Sequence, residues 1–208
     1  MSSIVIRHLG IAPYQQTFDA MRDFTAARTA DTPDEIWLLQ HPATFTQGMN
    51  GKAEHLLDPG AIPLLQVDRG GQVTYHGPGQ LIVYLLLDLR RRKMGVRQLV
   101  SAMEQAVIAL LADYRIVACA RSEAPGVYVD GAKVAALGLR VKRGCSYHGL
   151  SLNVAMDLAP FSRINPCGYP GMAVTDLHSS GITDSLEQVA DKLLITLQQQ
   201  IASPAIKS

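Results

Sequence analysis

The stretch Gln80-Leu81-Ile82-Val83-Tyr84-Leu85-Leu86-Leu87-Asp88 decides how the rest of the chain is read. Its apolar core, Leu81 to Leu87, is the longest strongly apolar run present. That run is far shorter than the roughly 20 residues a membrane-crossing helix needs. Flanked by Gly77-Pro78-Gly79 upstream, it reads as a buried strand. On its N-terminal side, residues 4–8 read as a strand. A helix follows with Tyr14, Phe18, Met21 and Thr25 on one face. Residues 35–40 form a second strand, stopped by His41-Pro42, and residues 64–68 a third. On its C-terminal side, an amphipathic helix runs over 96–114, through Val96, Leu99, Val100, Met103, Val107, Leu110 and Tyr114. Strands then dominate, over 115–119, 126–129, 133–142 and 147–154, with Asp130-Gly131 as a hairpin signal. Residues 160–171 are loop-rich. A last helix covers 185–201, with Leu186, Val189, Leu193, Leu197 and Ile201 as its buried stripe. Asp184 is its expected N-cap, with Glu187 completing a capping box. Hairpin-linked strands with helices between and after them predict an α+β fold, a mixed, largely antiparallel sheet flanked by helices.

With 208 residues, 48% hydrophobic and 18% charged, the chain can build one sizeable core, and a single domain over 1–208 is the expectation. A net charge of +1 gives no electrostatic reason to expect a nucleic-acid partner. The N-terminus does not resemble a signal peptide, so a soluble, cytoplasmic protein without a membrane partner is expected. The three cysteines, Cys119, Cys145 and Cys167, are odd in number and include no C-x-x-C, which argues against a disulfide framework and a structural zinc site. The six histidines show no H-x-x-x-H spacing, and no metal is expected.

Four segments carry chemistry. Asp68 to Gln80 holds Arg69, Gly70, Gly71, Gln72, Val73, Thr74, Tyr75 and His76. Its glycines permit close backbone approach to a ligand, but on composition alone an ordinary glycine-rich turn between two strands is the favoured reading. The spacings fit neither a P-loop nor a dinucleotide fingerprint. In Gly131 to Arg140, Lys133 opens an apolar strand; it is either a solvated strand-end lysine or a lysine held near a dry site. In Arg143 to Val154, His148 reads more readily as a structural histidine than as an acid-base group. In Ile164 to Met172, Cys167 sits in a forced turn between Pro166 and Gly168, where its sulfur is accessible and the Gly168 amide is free to face a carbonyl. Cys119, in the run Ile116-Val117-Ala118-Cys119-Ala120, reads as core filler, and Cys145 is ambiguous. Among the three, Cys167 is the best candidate nucleophile.

Taken together and in order, R-G-G-Q-V-T-Y-H-G-P-G-Q-L (69–81), G-A-K-V-A-A-L-G-L-R (131–140), R-G-C-S-Y-H-G-L-S-L-N-V (143–154) and I-N-P-C-G-Y-P-G-M (164–172) resemble the lipoyl(octanoyl) transferase family. H-P-A-T-F-T-Q-G (41–48) is similar to that family's early strand-turn. The resemblance implies a fold like the catalytic domains of biotin and lipoate protein ligases, built around an acyl tunnel. It implies Cys167 as nucleophile and Lys133 as its partner. It also implies substrate contacts along Arg69 to His76, at Ala136, Leu137 and Gly138, and at Gly149, Leu150 and Ser151. The implied reaction moves an octanoyl group from octanoyl-acyl carrier protein to a lysine of lipoyl domains, those of 2-oxoacid dehydrogenase complexes and the glycine cleavage H protein, with no cofactor. Backbone amides near Gly168 or in the Leu137-Gly138 strand would face the oxyanion. Two basic clusters, Arg90-Arg91-Arg92-Lys93 and Arg140, Lys142, Arg143, serve either as carrier-docking sites or as solvated turns. Competing readings are an ATP-dependent lipoate ligase on the same fold, a non-catalytic acyl-binding module, and a zinc enzyme.

Overall fold

The computed structural model describes residues 4–202, apart from the side chain of Cys167. In chain order the elements are β1 (Ile4–Ile11), α1 (Tyr14–Ala27), β2 (Asp34–Gln40), β3 (Thr44–Gln47), β4 (Leu64–Gln66), β5 (Val73–His76), β6 (Gln80–Leu86), α2 (Val96–Asp113), β7 (Cys119–Ala120), β8 (Gly126–Val129), β9 (Ala132–Lys142), β10 (Cys145–Asn153) and α3 (Leu186–Ala202). Seven strands form one sheet in the order β1-β2-β6-β10-β9-β8-β7, and β4-β3-β5 form a second. In the large sheet β1 and β2 are parallel and every other pair is antiparallel, so the mixed, largely antiparallel α+β expectation holds.

The apolar run from Leu81 to Leu86 lies in β6, near the middle of the large sheet and buried along its whole length. Alternation sends its side chains to opposite faces. Leu81, Val83 and Leu85 join α2 and α3 in the larger core cluster. Ile82, Tyr84 and Leu86 join α1, through Tyr14, Phe18 and Met21, in a second. A third cluster, Phe45, Val73, Tyr75, Phe161 and Ile164, lies under the small sheet. The Asp130-Gly131 pair makes the β8–β9 turn with positive φ at both residues (48° and 84°), as a two-residue hairpin of this twist requires.

Three expectations are corrected. The strand over 115–119 is reduced to Cys119–Ala120. Arg115 turns left-handed (φ 62°), and the amides of Arg115 and Ile116 fold back onto the carbonyls of Ala112 and Leu111. The apolar run therefore begins as a helix C-cap, and Cys119 ends exposed at the sheet edge instead of in the core. The cap of α3 is shifted by one residue. The amide of Ser185 donates to Oε1 of Gln188 at 2.8 Å, and the Gln188 amide donates back to the Ser185 hydroxyl at 3.3 Å. Asp184 instead accepts from Tyr114 and Lys192. Finally, Arg91 and Arg92 turn inward to Asp34. Arg91 Nη2 lies 2.7 Å and Arg92 Nε 2.5 Å from its carboxylate, beside Arg28 Nη2 at 2.5 Å.

Candidate active site

The site grows from the pairing of β9 with β10, which sets Ala136, Leu137 and Gly138 opposite Ser151, Leu150 and Gly149. The glycine-rich loop before β5 is laid over this pair. Its Gly70 amide donates to the Leu139 carbonyl at 3.0 Å, and the close approach needs a bare Gly138, where a side chain would meet Arg69 Cδ at 3.1 Å. Arg69 ties the loop together from inside. Its guanidinium donates to the carbonyls of Gly70, Thr46 and Gln72 and to the Thr46 hydroxyl, all within 2.8–2.9 Å.

A narrow, mostly apolar cleft opens between the loop, β5, β6 and the β9–β10 pair. Of the residues singled out in the sequence, Arg69, Gly71, Gln72, Val73, Thr74, His76, Ala136, Leu137, Gly138, Gly149, Leu150 and Ser151 line it. Gly70 faces a wider outer groove, which shares Gly71, Gln72, Leu137 and Gly138 with the cleft and reaches Gly168. Tyr75 is turned to the third core cluster, its ring 5.5 Å from those of Phe45 and Phe161.

Tyr14, Ile82, Tyr84 and His148 also line the cleft, and sequence reasoning did not assign them to it. All four are buried. His41 stands behind them: its Nδ1 is 2.6 Å from the Ala12 carbonyl, which can only accept, so that nitrogen carries the proton and Nε2 accepts from the Tyr84 hydroxyl at 2.7 Å. Burial, partly opposed by the Ala12 carbonyl, lowers the His41 pKa to about 4, so the ring is neutral. His76 is fixed similarly, with Nδ1 against Gln80 Oε1 at 2.8 Å and Nε2 against the Thr46 hydroxyl at 3.3 Å, and burial drives its pKa well below the usual value. His76 lines the cleft and His41 stands behind it. His148 faces Asp68 through Nε2 at 3.1 Å and adopts φ 61°; burial lowers its pKa against the raising effect of Asp68.

Lys133 is only 3% exposed. Its backbone is clamped by the segment after the cysteine turn: the Lys133 amide donates to the Ala173 carbonyl at 2.8 Å, and the Thr175 amide to the Lys133 carbonyl at 3.0 Å. Nζ donates to the Pro125 carbonyl at 3.3 Å and lies 5.3 Å from the Tyr128 ring centroid. Lys133, Pro166 and Val174 line one recess, which shares Thr74, Ala136 and Ser151 with the cleft. The backbone of Pro166–Gly168 forms a short 3-10 turn, anchored by the Asn165 amide on the His55 carbonyl at 2.8 Å. The Cys167 side chain lies outside the described residues. The Gly168 amide is not free: it closes the turn on the Asn165 carbonyl at 2.9 Å, which removes it as an oxyanion donor. Cys145 pairs with Lys142, nine residues along β9 from Lys133, so about 30 Å separates them. Burial pushes its thiol up. Among the described residues, no group of three or more His, Cys, Asp or Glu side chains is arranged to hold a metal ion, and no helix is long and apolar enough to cross a membrane.

The mixed sheet, with a cleft between a glycine-rich loop and a central β-hairpin, defines a catalytic domain of the lipoyl protein ligase A/B type. That family's sequence profile matches residues 13–198. The fold resembles lipoate-protein ligase A in its ATP-bound structure (TM-score 0.78, 14% identity, 96% of this chain and 85% of that one). It also resembles the biotin protein ligase of Aquifex aeolicus (TM-score 0.54, 13% identity, 97% and 70%). Relatives named octanoyltransferase are much nearer in sequence. That of Shewanella sp. (strain ANA-3) is 57% identical over 95% of this chain and 91% of its own length. Those of Marinobacter nauticus (61%, 90% and 90%) and Pseudomonas putida strain W619 (62%, 90% and 87%) are similar. The chain belongs to the octanoyltransferases of the lipoyl protein ligase A/B catalytic-domain family.

Proposed function

We propose that this chain transfers an octanoyl group from the thioester of acyl carrier protein to a lysine of lipoyl domains, through a thioester on Cys167. The acceptors are the lipoyl domains of 2-oxoacid dehydrogenase complexes and the glycine cleavage H protein. One observation carries the reading: a buried lysine amine opens onto a recess that it shares with Pro166, the residue before Cys167, and the recess joins an apolar cleft. An ammonium in so dry a place favours a thiolate beside it. The Cys167 thiolate attacks the octanoyl carbonyl, the carbon–sulfur bond to the carrier breaks, and the departing thiolate takes a proton from Lys133. The acceptor lysine, as neutral amine, then attacks the acyl-Cys167 carbonyl and gives its proton to Lys133. The Cys167 thiolate leaves, and both groups return to their starting charge. Exchange of a thioester for an amide is downhill, so no ATP is consumed. Beyond residue 136, β9 has no β8 partner, and this reading takes the oxyanion donor from the Leu137–Gly138 stretch of that edge.

Intact mass after mixing the protein with octanoyl-carrier protein and no acceptor tests this. An added octanoyl group is expected in wild type and in Cys119→Ser, and none in Cys167→Ser. Lys133→Ala should acylate at least a hundredfold more slowly, the size typical of lost acid-base assistance. Normal acylation of that variant contradicts the lysine's role, and ATP-dependent modification would favour ligase chemistry instead.

A further inference from the structure

The peptide unit joining Pro125 to Gly126 is held at both ends. Its N–H donates to Oε1 of Glu104 at 3.1 Å, and its C=O accepts from Nζ of Lys133 at 3.3 Å. Glu104 stands half-buried on α2, the helix packed against β8 and β9. Gly126 makes the arrangement possible. At φ 151° a side chain there would press on the Ala135 carbonyl oxygen at 2.7 Å and on Lys133 Cε at 3.0 Å. A peptide plane is rigid, so a hydrogen bond that fixes its N–H fixes the direction of its carbonyl as well. A carboxylate on the N–H also polarises the unit and makes the oxygen a better acceptor for a cation.

We propose that Glu104 is a positioning residue for acyl transfer: it locks the Pro125–Gly126 peptide so that the Pro125 carbonyl holds the Lys133 amine at the mouth of the recess beside residue 166. The inference rests on the Cys167–Lys133 reading above. The charged and titratable groups around this amine include Glu104 from α2 and Tyr128 from β8, whose ring also carries the Arg121 guanidinium at 4.2 Å. Burial raises the Glu104 carboxyl, opposed by the Gly126 amide and the charge of Lys133, which places the two groups within electrostatic reach.

The rate of octanoyl-enzyme formation, followed by intact mass against carrier concentration, separates the outcomes. Glu104→Ala should lower the saturating rate on the order of 10- to 100-fold with little change in the half-saturating carrier concentration, the signature of a misplaced group rather than of weakened binding. Glu104→Gln keeps an acceptor oxygen at the same reach and should recover most of the rate. Glu104→Asp keeps the charge but falls short and should not. Glu104→Ala combined with Lys133→Ala should be no slower than Lys133→Ala alone, because the glutamate acts through the lysine. A wild-type rate in Glu104→Ala, an Asp variant faster than Gln, or an additive double variant overturns the proposal. If Glu104→Ala does not fold, the order of Gln and Asp decides. Wild-type acylation by Lys133→Ala, by contrast, strikes the dyad reading itself.

Discussion

The Tyr84 hydroxyl donates to His41 Nε2 at 2.7 Å, and His41 donates from Nδ1 to the Ala12 carbonyl at 2.6 Å, so a ring on the cleft wall is locked by a two-bond chain into the fold. A wall that rigid can measure an acyl chain. Each buried methylene contributes about 0.8 kcal/mol, so an octanoyl tail gains roughly 5 kcal/mol in an apolar channel and shorter tails lose affinity in small steps. Longer tails must be stopped sterically, and Tyr84 and Tyr14 are the bulky rings on the cleft wall that could supply that stop. Tyr84→Leu should therefore raise the kcat/KM ratio of decanoyl- over octanoyl-carrier protein by about tenfold, two methylenes' worth. An unchanged ratio places the stop elsewhere. None of this was legible residue by residue. Tyr14 and Tyr84 read as core positions, and which of two core faces borders a cleft is decided by the loop from another sheet. Glu104 is similarly silent in the sequence, since nothing local ties residue 104 to residue 126. By contrast, the runs around Arg69, Gly138 and Gly149 were legible through the family resemblance, because their glycines taken alone read as ordinary turn and strand residues.

Among the elements, the junction of β2 with the turn after β6 shows how composition misleads. Arg90-Arg91-Arg92-Lys93 reads as a surface charge cluster, yet Arg91 and Arg92 converge with Arg28 on a fully buried Asp34, which also accepts from the Asp88 amide at 2.8 Å. Burial alone would raise the Asp34 pKa, but the Asp88 amide and the charges of Arg92 and Arg91 outweigh it and hold the carboxyl below its usual value. Asp34→Ala leaves Arg28, whose side chain is 4% exposed, without its counter-charge, and should cost about 3–5 kcal/mol in urea unfolding. Stability within about 0.5 kcal/mol of wild type would mean the cluster is screened like a surface pair. Reversal of Arg91 and Arg92 to Glu should fail in the same assay before any effect on carrier binding is measured. The sheet strands with strong alternation or continuous apolar runs were read correctly. The 115–119 run was not, because Arg115 enters the left-handed region and spends the first residues on capping α2.

For the molecule as a whole, three buried histidines, His41, His76 and His148, all have pKa values lowered by desolvation. The sign follows from linkage. Each binds a proton more readily in the unfolded chain, so their contribution is complete above an unfolded pKa near 6.5 and is lost as pH falls toward the folded value. For His41, lowered to about 4, the loss amounts to about 3 kcal/mol between those limits. The urea midpoint should thus drop steadily from pH 7 to pH 5 and be flat from pH 7 to pH 8. A midpoint unchanged at pH 5 would mean that these rings take up protons in the folded state. The order of elements and the α+β class were readable because β6 and its neighbours are patterned strongly enough to override local ambiguity. The cleft was readable only through the resemblance, since its walls come from α1, β5, β6, β9 and β10 together.

The central claim is tested most directly by locating the acyl group. The protein is mixed with octanoyl-carrier protein, quenched in acid, digested, and the peptides sequenced by tandem mass spectrometry. The octanoyl group should sit on Cys167 and leave on addition of a lipoyl domain, whose lysine gains it in equal amount. An octanoyl group found on Lys133 or Cys119, or transfer to the lipoyl domain with Cys167 never modified, would contradict the account.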